Sequence, residues 1–278
     1  MSRRGSVNFS LFALLFFGVT LLRPPTAGAG GQQVESNAAK TETSSAAAHP
    51  VLIELFTSEG CSSCPPADAL VQKLDAYQPI AGAQLIVLSE HVDYWDHDGW
   101  KDPNSSSALT ERQSAYVRVL GLSAPYTPQL IVDGTTEVHA NEPQQLEKVL
   151  RNEATTPRVG VRIGAVSVDA GDPTVLRVHV DTDTNLEKHN ADVIVAVALD
   201  HVESQVLHGE NGGHRLTHVA VVQQLTKIGK LQKGKTFAED VQLKLKPGTD
   251  PKNVRLIVFV QESGPGRLLG AALRKPTS

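Results

Sequence analysis

Cysteine is scarce in this 278-residue chain: there are two, Cys61 and Cys64, three positions apart. A pair so close cannot staple distant segments together, and two thiols alone cannot complete a zinc site. No basic tract stands out, and Lys plus Arg (26) is fewer than Asp plus Glu (30), which excludes the electrostatic footprint of a nucleic-acid binder. Long apolar runs are also lacking after residue 22, so no later segment is long enough to span a bilayer. Composition biased toward collagen or disorder is absent too, and the length allows one or two domains.

What is present begins with an address. Arg3 and Arg4 precede an apolar run from Phe9 to Leu22, and Ala27-Gly28-Ala29 matches a small-x-small cleavage site, the pattern of a signal peptide over residues 1–29. The run is short against the roughly 20 residues a membrane span needs, and a retained N-terminal anchor is the alternative. The expected location is the periplasm or the exterior. Residues 30–49 have no apolar period and read as a flexible leader.

From Val51 to Thr57 the chain is almost continuously apolar, the pattern of a strand buried on both faces. Ser58 to Pro66 follows, and then Ala67, Leu70, Val71 and Leu74 at helical spacing. Gln84–Val92 predicts a second, parallel strand, and Ser107–Leu120 a helix stopped by Gly121. Gln129–Val132 predicts a third strand, turning at Asp133-Gly134, with a last helix after Pro143. Beyond Pro157 the apolar pattern alternates in short segments at 159–168, 175–181, 193–199, 216–222, 238–245 and 254–260. The expected architecture is therefore an α/β domain over 50–156 followed by an all-β, sandwich-like domain over 157–278.

A Cys-x-x-Cys pair between a buried strand and a helix start has a definite chemistry. The unpaired N–H groups and the dipole of a helix N-terminus favour thiolate at Cys61, making it the nucleophile. Cys64, within one turn, resolves the mixed disulfide. Three alternatives stay open. A structural staple would close only a four-residue ring, worth roughly 2 kcal/mol against about 3 for fifteen residues. Zinc would need further ligands such as His214 and His218, and copper would use both thiolates plus a histidine. Thr127-Pro128 opens the third strand at the same sheet end as Cys61, where a cis bond would expose the Thr127 backbone to a substrate chain; an ordinary trans turn is the alternative.

These residues carry a resemblance. Residues 51–154 resemble the thioredoxin superfamily in their strand, Cys61-Ser62-Ser63-Cys64, helix and Thr127-Pro128. From about Val51 onward the chain is similar to an exported bacterial family known as domain of unknown function 1223. The matching stretches are Leu55 to Asp68, His91 to Asp96, Gly99 to Pro103, Arg112-Gln113, Tyr126 to Gln129 and Gly209-Glu210-Asn211. The resemblance implies a thioredoxin-like α/β fold with a β-rich C-terminal part and a thiol–disulfide role. Ser62-Ser63 replaces the thioredoxin dipeptide that tunes the redox potential, so neither oxidant nor reductant is assigned.

The polar loop 93–102 leaves the second strand at the same end and carries both tryptophans. Trp95 and Trp100 there form either an apolar lip for a substrate peptide or the cover of a self-packed loop. Asp93, Asp96 and His97 are candidates for proton transfer. Glu54 interrupts an apolar strand, as an edge charge or as a buried acid near Cys64. His201, His208, His214 and His218 read as surface histidines on strands. The expected function is an exported thiol–disulfide oxidoreductase with Cys61 and Cys64 catalytic and Thr127, Pro128 and Trp95 binding substrate. It calls for no cofactor and no resident metal. Its partners are a protein or small thiol/disulfide substrate and an external molecule that recycles the pair. The competing classes are a copper-delivery module and a binding protein with a structural disulfide.

Overall fold

The computed structural model describes residues 48–185, 187 and 189–275. The signal peptide and most of the leader lie outside the described residues. β1 (His49–Thr57) leads through the cysteine loop into α1 (Pro65–Tyr77), which is followed by β2 (Ala83–His91) and α2 (Ser107–Leu120). β3 (Gln129–Val132), β4 (Thr136–Val138) and α3 (Pro143–Glu153) complete the first half. β1 pairs parallel with β2 and antiparallel with β3.

β1 is buried on both faces, and its alternation divides the core. Val51, Ile53 and Leu55 pack with Ala67, Val71 and Leu74 of α1 and Leu146 and Leu150 of α3. Leu52 and Phe56 point the other way, into the clusters that hold Leu109 and Tyr116 of α2. Alternate side chains of a strand must leave on opposite faces, and here each face meets a helix.

The second half contributes β5 (Val161–Ile163), β6 (Ser167–Val168), β7 (Val175–Thr182), β8 (Ala191–Gln205), β9 (Arg215–Leu231), β10 (Phe237–Lys244), β11 (Val254–Glu262) and β12 (Leu268–Arg274). The arrangement expected from the sequence, a thioredoxin-like α/β domain followed by a separate β-sandwich, is not the one found. β9 joins β2 in parallel at Ser89 and Val221, so that β12, β11, β8, β9, β2, β1, β3 and β4 form one mixed eight-stranded sheet. The molecule is mostly β, with three α-helices among the described residues. A small sheet ordered β10-β7-β5 packs onto β8 and β11 through Leu176, Val178, Val180, Val193, Val195 and Val258. The alternation after Pro157 does mark strands. Which sheet a strand joins is decided by partners far away in sequence, and alternation carries no information on that.

β8 and β9 are longer than their apolar patterns suggested, at 15 and 17 residues. They pair along most of their length, from Ala191 with Leu231 to Gln205 with Arg215, so the turn at residues 206–214 stands far from the small sheet. β12 has no counterpart among the predicted strands. No described helix is long and apolar enough to cross a membrane.

Candidate active site at the cysteine pair

Cys61 and Cys64 form a disulfide. Cys64 is the N-cap of α1, and Pro65 and Pro66 occupy its first turn. That placement corrects part of the thiolate argument. Prolines have no N–H, and the next two amides, of Ala67 and Asp68, donate to the Cys64 carbonyl. The helix start therefore offers no free donor to Cys61. A nucleophile also needs access, and here both cysteines are 0% exposed. Only Ser62 and Ser63 between them face solvent, and Ser63 Oγ lies 3.4 Å from Cys61 Sγ.

Two loops close over the pair. Trp95 is half-buried, its indole N–H donating to Thr127 Oγ1 at 2.8 Å. A Cβ on Gly60 would stand 3.1 Å from Trp95 Cβ, so glycine lets this loop seat directly on the cysteine loop. Trp100 donates its indole N–H to Glu59 Oε2 at 2.9 Å. The two tryptophans thus belong to a self-packed cover, each tied by its polar edge. Asp93 accepts from Thr110 Oγ1, and Asp96 accepts from Ser105 Oγ and the Asp102 amide, so both carboxylates hold the loop together. His97 is exposed.

The second cover comes from the far half of the chain. At the β8–β9 turn, Glu210 Oε2 accepts from the Ser62 amide at 3.0 Å. Asn211 Nδ2 donates to the carbonyls of Glu59 (2.9 Å) and Cys61 (3.0 Å). The Gly209-Glu210-Asn211 stretch carried no assigned task in the sequence; in the fold it lies on the cysteine loop.

The Thr127–Pro128 peptide is cis. Pro128 lines a cavity of about 340 Å³ with Ser63, Pro66, Ala67, Tyr126 and His139, beside the disulfide. A larger cavity, about 610 Å³, lies by α2 and is lined by Leu109, Arg112, Ile194 and Leu225, with neither cysteine in it.

Behind the cysteine loop stands a buried polar cluster that the sequence reading missed. Glu59 is buried and accepts from Trp100, Asn104 Nδ2 and Ser204 Oγ. Asp102 Oδ2 accepts from the Glu59 amide and lies 2.7 Å from His91 Nδ1. His218, expected at the surface, is 1% exposed and packs edge-on to His91 with ring centroids 4.7 Å apart. Its Nδ1 lies 3.5 Å from Oδ1 of Asp68, one turn after Cys64 on α1. The signal was available: along β9, Leu216, His218 and Ala220 are buried with half-buried residues between them, a period-two series in which the histidine falls in phase. Glu54, by contrast, points to the α2 face and pairs with Arg112 and Tyr116, so it is not the acid beside Cys64.

Donor atoms of Glu59, His91 and Asp102 lie within 4.8 Å of one another, the spacing of a metal site. Both carboxylates already accept from two or more protein donors, and their hydrogen-bond needs close without an ion. His214, in the β8–β9 turn, contacts the Asn211 carbonyl through Nδ1.

The His91–Asp102 pair makes a stability prediction. Burial works against the charged imidazole, but Asp102 outweighs it and leaves His91 above its ordinary 6.5. Burial likewise opposes the Asp102 carboxylate, but His91 and two backbone amides bring it below 3.8. A raised histidine contributes fully below the unfolded value and loses its contribution as pH rises through the folded one. A lowered aspartate contributes above its unfolded value and loses it as pH falls through the folded one. The pair therefore stabilises most between pH 3.8 and 6.5. Asp102→Asn is expected to cost about 3 kcal/mol there, with a smaller deficit at pH 9. Thermal melts of both proteins across pH check this; a deficit that grows toward alkaline pH contradicts it.

A crystal structure of a protein from Agrobacterium tumefaciens is similar at 29% identity with a TM-score of 0.65, covering 83% of this chain and 96% of that one. No curated protein matches the chain. The model of the family described as "Protein of unknown function (DUF1223)" matches residues 52–261, through both cysteines, the tryptophan loop and the β8–β9 turn, and the chain belongs to that family.

Proposed function

We propose that this is an exported thiol–disulfide exchange protein working through Cys61 and Cys64. The observation that carries the reading is that the chain's whole cysteine complement is one disulfide at a strand-to-helix junction, bordered by a cavity lined by Pro128. The reading rests on this local geometry and not on a thioredoxin-like architecture.

The surroundings favour one direction. Side chains bonded to the loop belong to Glu210, Asn211 and Asp102, and Glu59 within it is held by Trp100, Asn104 and Ser204; none is cationic. Carboxylates nearby and no free helix amides make a poor thiolate site. A strong oxidant needs a stabilised reduced form, so this pair is suited to donating electrons. Cys61, after losing its proton to solvent, attacks one sulfur of a substrate disulfide, and the other substrate sulfur leaves and takes up a proton. Cys64 then loses its proton and attacks Cys61 Sγ in the mixed disulfide, releasing the second substrate sulfur as a thiol. The substrate gains two electrons and two protons, the Cys61–Cys64 disulfide is restored, and an external dithiol must reduce it again.

The test is redox equilibration of the purified protein with dithiothreitol, alongside reduction of a protein disulfide and metal analysis. We expect a potential at or below about −270 mV and thiols titrating at or above about 8.5. A second reading, a binding protein with a structural disulfide, is favoured by the complete burial of both cysteines. A potential that low with no exchange toward any protein disulfide selects it, and stoichiometric copper selects a metal-delivery role.

A further inference from the structure

The turn of the β8–β9 hairpin is built as a unit of its own. Val206 donates to the His214 carbonyl, Gly213 to Val206, Gly212 to Gly209 and His214 to Asn211, all within residues 206–214. None of these bonds needs the cysteine loop. What joins the turn to the cysteines is a separate, small set of contacts: one carboxylate bond from the exposed Glu210 and two from the single amide of Asn211. Gly209 makes the fit possible. Its φ is +77°, and a Cβ there would stand 3.0 Å from the Asp98 carbonyl and 3.2 Å from Trp100 Cβ.

The groups that this turn occupies are main-chain groups of the cysteine loop. The Ser62 N–H is taken by a carboxylate oxygen, and the Glu59 and Cys61 carbonyls by an amide N–H. An acceptor beside a donor is also what an extended peptide presents when it adds to exposed backbone. With the turn in place both cysteines have no exposed surface, although Ser62 and Ser63 between them do.

We propose that residues 209–211 are a latch that keeps the disulfide closed by imitating a peptide, and that a polypeptide substrate reaches Cys61 by displacing it. This deepens the exchange reading and rests on it for the substrate, while the closure can be tested alone. The latch releases as a preformed turn, and the main-chain groups it leaves behind receive the incoming chain. A small disulfide offers no such groups and must wait for spontaneous opening.

The experiment uses the full mature chain and the variants Glu210→Ala and Asn211→Ala. The oxidised proteins are exposed to tris(2-carboxyethyl)phosphine, and freed thiols are counted by alkylation and mass. Each variant is expected to be reduced about tenfold faster than the parent, the equivalent of one lost net hydrogen bond or more. Equal rates in the parent and both variants overturn the latch. If Asn211→Ala loses its cooperative melt, Glu210→Ala, altered only at an exposed side chain, decides. The substrate claim is read from the reduced proteins, as attack on a disulfide-bonded unfolded protein against attack on 2-hydroxyethyl disulfide. The ratio of the two rates is expected to be highest in the parent and to fall about tenfold in the variants, because only the polypeptide opens the latch for itself. An unchanged ratio removes the imitation. Faster phosphine reduction with no reaction between any of these proteins and polypeptide disulfides leaves the closure standing and sinks the exchange reading.

Discussion

Cys64→Ser is expected to accumulate mixed disulfides through Cys61, while Cys61→Ser accumulates almost none and falls to the uncatalysed background in exchange. The asymmetry follows from position within the loop. Cys64 caps α1, and Asp68 and Val71, four and seven residues later on the same helical face, are buried with it. Cys61 lies one turn outward, touched by Ser63 Oγ and covered by a latch held through three side-chain bonds. An incoming sulfur needs a clear line to one cysteine, and displacing the 209–211 turn opens that line to Cys61. Without Cys64 the mixed disulfide has no internal thiol to resolve it. Non-reducing gels with mass spectrometry of shifted bands, from cells expressing each variant, read the result. Equal trapping by both variants removes the division of roles.

Arg112→Leu is expected to be the most damaging change away from the disulfide. Arg112 donates to Glu54 Oε1 at 2.6 Å, to Tyr116 at 3.0 Å and to Gln261 at 3.1 Å, with Glu90 3.5 Å from its Nε. Both glutamates are fully buried. One guanidinium cannot balance two carboxylates there. Burial, with Glu54 adding to it, pushes Glu90 well above the ordinary range and favours its neutral form. Removing the arginine takes from buried Glu54 its cationic partner, at a cost of about 3–5 kcal/mol, or a fall in Tm of about 10 °C. Glu90→Gln, which copies the neutral form, is expected to be close to neutral below pH 4.5 and stabilising at pH 7. An acid whose folded value is raised loses stability as pH rises toward that value, so the parent should also gain on Glu90→Gln below pH 4.5. Melts of the two variants check both statements, and a large loss in Glu90→Gln with a small one in Arg112→Leu reverses the assignment.

The site was legible in part. The pair at a strand-to-helix junction could be read from Val51–Thr57 and the helical spacing after Cys64, because both signals are local. Burial of the pair could not. It depends on Trp95 seating against Gly60 and on Asn211 reaching back 150 residues to the Cys61 carbonyl. Glu54 interrupted an apolar strand in the sequence, but only the packing of α2 shows that Arg112 meets it.

Legible in the sequence alone are the order of strands and helices as far as β11, the two faces of β1 and the place of the cysteine pair at a strand-to-helix junction. Each follows from residues within a turn or two of one another, whose period and capping are set by local backbone geometry. Long-range packing alone puts β9 beside β2, merging the halves into one sheet, brings His91 and His218 together behind the cysteines, and lays the 209–211 turn over the cysteine loop. Those outcomes depend on which of several similar apolar strands pair. That choice is made by the summed burial of faces brought together from distant parts of the chain, for which no single segment carries a mark.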